Sequence, residues 1–398
     1  MTATSAPERE EEVRELVRWA LSARQPLRVS GLDTKQKFGL PAAEHHHVSM
    51  HRLSGILMYE PEELVMRASP GTPLDEVEAV LAERGQHLAF EPLHAQALFG
   101  AGRAGTIGGV FAANLSGPRR FRAGAARDHL LGVRAVSGRG ETWRSGGRVI
   151  KNVTGYDLSK LMAGSWGELS VITELTFKVL PRPECTLTLA RPVADAKEAV
   201  AQLMRLAGSP LELSGLAWLP GEAAASTDVF PARDPVLLAR LEGTASGVAD
   251  RAQALAALLP PGPEPLRIEG EASARLWQAI RDVVPLAAAE VVVRISLAAS
   301  TLPSLLASLP AGARWFVDGA GTWLWLGLPA EGAVEAVRAL RARIAGRGGC
   351  VTWRAPPHVT REAGVLTPQE PALAALSRRL KQAFDPDGIL GPGRFMPA

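Results

Sequence analysis

The chain has 398 residues, 46% of them hydrophobic and 21% charged, with a formal net charge of +3 and a pI of about 9.1. That length calls for at least two cores, and its lysines and arginines are scattered rather than massed, which argues against a nucleic-acid partner. The two cysteines, Cys185 and Cys350, form no C-x-x-C, which excludes a disulfide framework, a cysteine-rich zinc site and an iron–sulfur cluster and suits a reducing cytosol.

The acidic start, Met1 to Glu12, does not read as a secretory signal. Residues 8–24 have the spacing of an amphipathic helix, with Val13, Leu16, Val17, Ala20 and Leu21 on one side. A short strand, Leu27 to Ser30, runs into the loop Gly31-Leu-Asp-Thr-Lys35. His45, His46, His47 and His51 read as a solvated loop, because only Glu44 sits nearby as a further metal ligand. A second strand, Leu64 to Ala68, ends at Ser69-Pro-Gly71. There Thr72 as N-cap, Pro73 and Asp75 announce a helix.

Glycine and small residues dominate from Gly100 to Gly117, followed by the basic Arg119, Arg120, Arg122 and Arg127. Arg119, Arg120 and Arg122 suit either a phosphate or carboxylate, or a solvated or subunit-contacting loop. Strands are expected at Leu131 to Ser137, at Arg148 to Ile150 and across 171–180, where Leu175, Phe177 and Val179 alternate with Glu174, Thr176 and Lys178. Pro181 and Pro183 then mark a boundary.

Beyond it, strands are expected at 186–190, 215–219, 236–241, 291–297, 314–318, 322–328 and 350–354. Helices are expected near 194–207, 246–259, 300–308, 330–346 and 371–383, and loops at 220–235 and 260–265. This pattern predicts an antiparallel sheet with helices on one face. The most apolar stretch, Pro285 to Ala299, is broken by Glu290 and Arg294, so no segment reads as membrane-spanning. Trp315, Trp323, Trp325 and Trp353 read as buried core, with an interface as the alternative.

Three segments carry chemistry. The first is Gly105-Thr-Ile-Gly-Gly-Val-Phe-Ala-Ala-Asn-Leu-Ser-Gly117. A diphosphate needs close backbone N–H groups, which glycine permits. Thr106 and Ser116 add hydroxyls, and a short helix opening near Ile107 would add a favourable field. The second is the Gly31–Lys35 turn, with Thr34 and Lys35 as a further phosphate cradle. The third runs from Lys151-Asn-Val-Thr-Gly-Tyr-Asp-Leu158 to Gly164-Ser-Trp-Gly-Glu-Leu-Ser-Val-Ile-Thr173. Gly100-Ala-Gly-Arg-Ala-Gly105 matches G-x-G-x-x-G, but it follows a stretch with Pro92 and no β-branched run, the wrong setting for a Rossmann turn.

In their order and spacing the three segments resemble the vanillyl-alcohol-oxidase/PCMH-type FAD-binding superfamily over residues 1 to about 182. Further stretches are similar to the FAD-binding subunit (E component) of bacterial glycolate oxidases: Asn114-Leu-Ser-Gly-Pro-Arg-Arg120, Arg127-Asp128, 151–157, and Phe384-Asp-Pro-Asp-Gly-Ile-Leu-Gly-Pro-Gly-Arg-Phe395. The resemblance spans nearly the whole chain, more weakly between 185 and 345. It implies an α+β protein: a two-subdomain PCMH-type FAD-binding domain at 1–182, then an α+β cap or partner-binding domain at 183–398 with an antiparallel sheet.

It also implies FAD contacts at Gly31, Thr34, Lys35, Gly105, Thr106, Ile107, Gly108, Gly109, Asn114, Ser116, Gly117, Gly167 and Ile172. The first cradle has neither His nor Cys to tether a flavin, so a non-covalent cofactor is expected. The catalytic relatives carry metal-binding or proton-accepting histidines in their C-terminal domain. The matching stretch here is Val317 to Leu328, with Trp323 and Trp325 at the imidazole positions and His358 the only histidine after residue 130. One histidine builds no such metal site.

The resemblance therefore implies an accessory FAD subunit exchanging electrons with a catalytic flavoprotein subunit and an iron–sulfur subunit. It would be cytoplasmic, and at the membrane only through those partners. A self-sufficient 2-hydroxy-acid dehydrogenase and a flavin-free structural subunit are the alternatives.

Overall fold

The structure, a computed structural model, describes residues 4–40, 45–147, 156–230, 234–259 and 262–395. Residues 148–150, 151–155 and Glu44, on which expectations rested, lie outside these.

The first helix, Glu10–Ala23, places Glu10, Glu11 and Glu12 in its first turn, where the helix dipole favours acid. It buries Val13, Val17 and Ala20 and ends at Arg24 in the left-handed region. It covers a small parallel sheet in the spatial order Thr4–Ser5, His46–Ser49, Leu27–Ser30. The histidine run is thus the central strand of a sheet and not a solvated loop. Hydroxyls of Ser5, Ser30 and Ser49 meet ring nitrogens of His46, His47 and His51 at 2.8, 2.7 and 2.9 Å.

A five-stranded antiparallel sheet follows, ordered Ile56–Glu60, Val65–Ala68, Ser170–Lys178, Leu130–Ser137, Thr142–Gly146. Its middle strand, Ser170–Lys178, is buried on both faces except at Glu174 and Lys178, so the expected alternation is only partly seen. Thr72 does not cap the helix Leu74–Glu83, whose N-cap is Pro73. Its hydroxyl instead accepts from the Gly55 amide at 2.9 Å and donates to the Ser69 carbonyl at 2.7 Å.

The second half holds an eight-stranded antiparallel sheet. Its order is Leu266–Glu269, Cys185–Pro192, Val236–Gly243, Gly215–Leu219, Arg314–Asp318, Trp323–Leu328, Val291–Leu297, Gly348–Arg354. Strict alternation gives it two apolar faces. Leu237, Ala239, Leu241, Val293 and Ile295 meet the helices Ala196–Ala207, Ala245–Leu258 and Ala333–Ile344. Leu238, Val292, Phe316, Trp325 and Trp353 join the core of the first half.

A helix that sequence periodicity does not announce, Gly270–Arg281, also covers this second face. It buries Leu276, Trp277 and Ile280, and the Trp277 indole donates to Thr188 at 2.8 Å. After the helix Pro371–Phe384 the chain returns to the first half. The Leu27 amide donates to Ile389 at 2.7 Å, Gly391 to the Leu27 carbonyl at 2.9 Å, and Leu40 to Arg394 at 2.7 Å. No helix among the described residues is long and apolar enough to cross a membrane.

Candidate functional site

A cleft with about 970 Å³ of empty space lies at the end of the strand Leu27–Ser30. It is lined by all three predicted segments: Gly31, Thr34 and Lys35 from the first turn, Thr106 and Gly109 from the glycine-rich stretch, and Trp166 and Gly167 from the third. The glycines are there because the pieces nearly touch. A Cβ on Gly31 would sit 2.3 Å from Thr106 Oγ1. One on Gly105, whose φ is +118°, would lie 3.1 Å from both Lys35 Nζ and Thr34 Oγ1, and one on Gly109 would lie 3.3 Å from Lys35 Nζ.

Lys35 is the centre of this arrangement. Its side chain keeps an edge open to the cleft, but the ammonium is enclosed by Thr34, Gly105 and Gly109 and donates to Thr34 Oγ1 at 3.3 Å. No carboxylate among the described residues pairs with it. Asp33, its near neighbour, is held by Arg28 at 2.7 Å. Burial, and then the Arg394 guanidinium, lowers the Lys35 pKa to about 8. Burial also lowers Arg394 to about 10; its Nε has no hydrogen-bond partner among the described residues, and its guanidinium lies 4.9 Å from the Trp166 ring.

Glu168 and Asp33 act on Arg394 from nearby, but burial raises the Glu168 carboxyl to about 7 and Asp33 is held by Arg28, so the two enclosed cations with glycine walls on one side suit an anion. Among the described residues the amides of Leu32, Asp33, Thr34 and Lys35 have no acceptor, which leaves the N–H groups of the turn free to donate to an anion.

The glycine-rich stretch acts differently from the sequence expectation. A short helix, Ile107–Ala112, does open there with Thr106 as N-cap. Its first amides are already committed: Ile107 to the Thr72 carbonyl and Gly108 to the Pro70 carbonyl, both at 3.0 Å, and Gly109 to Thr106 Oγ1 at 3.2 Å. Gly108 is glycine because a Cβ would meet Pro70 at 2.6 Å. Asn114, Ser116 and Gly117 do not line the cleft. Asn114 Oδ1 accepts from the Arg127 amide at 2.9 Å, Ser116 Oγ accepts from the Ala126 amide at 2.9 Å, and Gly117 packs on the Glu91 carbonyl. Ile172 lies in the core of the five-stranded sheet, paired with Ala135. Trp166 and Gly167 have φ of +56° and +77° and form the tight loop expected of the third segment.

Among the residues that line the cleft, Arg394 and His45 carry chemistry to which the sequence reading gave no site role. Arg394 comes from the far end of the chain, and its only signal was the Gly391–Pro392–Gly393 turn before it. His45 lines the cleft with a buried Nδ1 that has no partner among the described residues.

The basic cluster divides. Arg119 enters a buried ion network between the halves: its Nε donates to Glu242 at 2.7 Å, and its guanidinium is 3.1 Å from Glu91. Arg240 donates to both Glu91 oxygens at 2.9 Å. Burial alone would raise the Glu91 carboxyl, but Arg240 and Arg119 hold it below its ordinary range. Arg122 makes an exposed pair with Glu212, and Arg120 lies over Trp323.

The Val317–Leu328 stretch carries Trp323 and Trp325 buried on the sheet. The remaining histidines are placed elsewhere: His87 beside Arg119, His94 on Glu78, His129 on the Ala123 carbonyl, and His358 exposed on the helix Pro357–Ala363.

Residues 2–146 match the family described as FAD binding domain. Glycolate oxidase subunit GlcE of Escherichia coli (strain K12) is 34% identical over 394 residues, 96% of this chain and 95% of that protein. Glycolate oxidase subunit GlcD of Bacillus subtilis (strain 168) is 31% identical over 189 residues, 47% of this chain and 38% of that protein. Among solved structures, p-cresol methylhydroxylase superposes with a TM-score of 0.74 at 14% identity, covering 98% of this chain and 88% of that one. Alkyldihydroxyacetonephosphate synthase does so with 0.70 at 18%, covering 98% and 75%. At those identities the two structures bear on the fold alone, a PCMH-type FAD-binding architecture.

Proposed function

Since the chain belongs to the FAD-dependent oxidoreductase family of glycolate oxidase subunit GlcE, we propose that it is the accessory FAD subunit of a glycolate-oxidising complex, trading electrons with a catalytic flavoprotein subunit and an iron–sulfur subunit. The observation that supports it most directly is the Lys35 ammonium, without an acid partner among the described residues and enclosed by Thr34, Gly105 and Gly109 in the cleft that all three segments line. In this reading residues 1–182 hold the cofactor and 183–398 cover it.

Lys35, Thr34 and the turn amides at Gly31 grip the diphosphate. Gly105, Thr106 and Gly109 let the turn approach, and Gly167 and Arg394 wall the cleft. Ile107, Gly108, Asn114, Ser116, Gly117 and Ile172 hold those pieces in register. FAD, when bound, supplies the capacity to take up and release electrons. The chain itself offers no imidazole beside Trp323 and Trp325 to accept a substrate proton, and a missing base costs about 10²–10⁴-fold in rate. Oxidation of the 2-hydroxy acid is therefore assigned to the partner flavoprotein.

The purified chain should be yellow, and acid precipitation should leave the flavin in the supernatant; colour retained in the pellet would refute non-covalent binding. Glycolate should bleach the flavin only after the partner subunits are added. Bleaching in the isolated chain would favour a self-sufficient dehydrogenase.

Affinity for FAD should also depend on pH. Only the ammonium form of Lys35 pairs with the diphosphate, and its pKa in the empty cleft is about 8. Below pH 8 the dissociation constant should be flat. Above it, the charged fraction falls and binding should weaken by about tenfold per pH unit. Lys35→Gln should bind weakly at every pH, without that slope; a wild type with no slope above pH 8 would remove Lys35 from the diphosphate.

A further inference from the structure

The helix Pro371–Phe384 has 14 residues and buries none of them. Helices of that length are marginal in water alone and owe most of their stability to packing an apolar face. Among the described residues, its hydrogen bonds and ion pairs to the rest of the chain all come from its last turn. Arg139 donates to the Ala383 carbonyl at 3.3 Å and to the Gln382 carbonyl at 3.5 Å. Lys381 donates to Asp385 at 2.7 Å and to the Leu390 carbonyl at 2.8 Å. The Phe384 ring lies 5.5 Å from that of Trp143.

The turns before that one carry an apolar stripe with nothing on it. Leu373, Leu376 and Leu380 recur at helical spacing, and Ala372 and Ala383 stand exposed beside them. Leu373 is 51% exposed and Leu376 45%. None of the three leucines joins a hydrophobic core among the described residues. A single exposed leucine is ordinary, whereas a stripe along one helix face marks a contact surface.

The charges around the stripe say what fits it. Arg379 borders it, one turn after Leu376, with Arg378 beyond, and both are exposed. Lys381, on the side turned to the body, is answered by Asp385. No acid lies between Pro371 and Phe384. Two copies of this face would therefore bring arginine against arginine with no carboxylate between them. Three leucines without an exposed aromatic on the helix offer too little apolar surface for a lasting hold on lipid. An apolar groove edged with carboxylates answers both the leucines and the arginines.

Resting on the reading of this chain as one subunit of a complex, we propose that the Leu373–Leu376–Leu380 face is where a partner subunit docks, taking the helix into an apolar groove with acidic rims. The helix runs into Gly391, Pro392 and Arg394, which wall the cofactor cleft, so a subunit seated here adjoins that wall.

The test uses the full chain, immobilised, and the co-expressed flavoprotein and iron–sulfur subunits of the source organism. Wild type should bind at least one of them, more tightly at low salt than at high salt. Leu376→Asp should weaken binding by roughly thirtyfold or more, as loss of a central interface residue does. Arg379→Glu should weaken it by roughly tenfold and flatten its dependence on salt. Both variants should keep the wild-type urea midpoint and flavin content, because the altered side chains touch neither a core nor the cleft. Undiminished binding in both variants would overturn the surface. So would a wild-type chain that dimerises alone, or floats with phosphatidylglycerol vesicles, and loses that behaviour in Leu376→Asp while subunit binding is kept. A wild type that joins neither subunit would sink the accessory-subunit reading together with this surface, whereas a complex indifferent to both substitutions sinks the surface alone.

Discussion

Lys35→Met is expected to give a colourless chain that is nonetheless more stable than the flavin-free wild type. The two effects have one cause. In the flavin-free chain the Lys35 ammonium is enclosed with no acid partner among the described residues, and its pKa is pulled from 10.5 to about 8. A pKa lowered on folding means that the unfolded chain binds the proton more tightly. Stability then rises with pH between about 8 and 10.5, and below pH 8 the charged lysine costs on the order of 1–3 kcal/mol. Methionine removes that cost while preserving length. It also removes the charge that meets the diphosphate, a loss of about 2–5 kcal/mol, or roughly 30- to 5,000-fold in FAD affinity. Flavin absorbance after gel filtration and urea denaturation of the flavin-free proteins measure the two sides. A yellow Lys35→Met, or one less stable than flavin-free wild type, would contradict the assignment.

Glu91→Gln should cost about 3–5 kcal/mol, because it leaves Arg240 and Arg119 buried without their shared carboxylate. Arg240 is 1% exposed. Glu91 and Arg119 belong to the first half, whereas Arg240 and Glu242 lie on the strand Val236–Gly243 of the second. The damage should therefore appear as loosening between halves, read as faster proteolysis of the connecting segments and a lower urea midpoint. The pH dependence has a definite sign. Glu91 is held below its ordinary value of 4.5, so its contribution is complete above that value and fades as pH falls beneath it. The gap between variant and wild type should close in acid; a gap independent of pH would mean that the network is not electrostatic in origin.

The cofactor segments were legible because their chemistry is local. Gly31, Thr34, Lys35, Thr106, Gly109 and Gly167 lie on turns whose residue types serve phosphate or close approach, and they meet in one cleft. Other features depend on partners distant in sequence. Nothing near Ile107 or Gly108 says that their amides go to Thr72 and Pro70. The His46–Ser49 strand has no apolar alternation to betray it, since serine hydroxyls from three separate positions satisfy its histidines and His51. The helix Gly270–Arg281 begins with Gly, Glu, Ala and Ser, and its buried Leu276, Trp277 and Ile280 span too short a stretch to set a period. Arg119, Arg120 and Arg122 look alike in sequence. Their three fates were decided by Glu242, Trp323 and Glu212, all on the far side of the expected boundary.

The return of residues 389–395 to the strand Leu27–Ser30 has a consequence for biosynthesis. The wall bearing Arg394 is translated long after the Lys35 turn that shares its cleft. A nascent chain that has not reached residues 389–395 therefore lacks this wall, and flavin retention is expected only once they have joined the strand Leu27–Ser30.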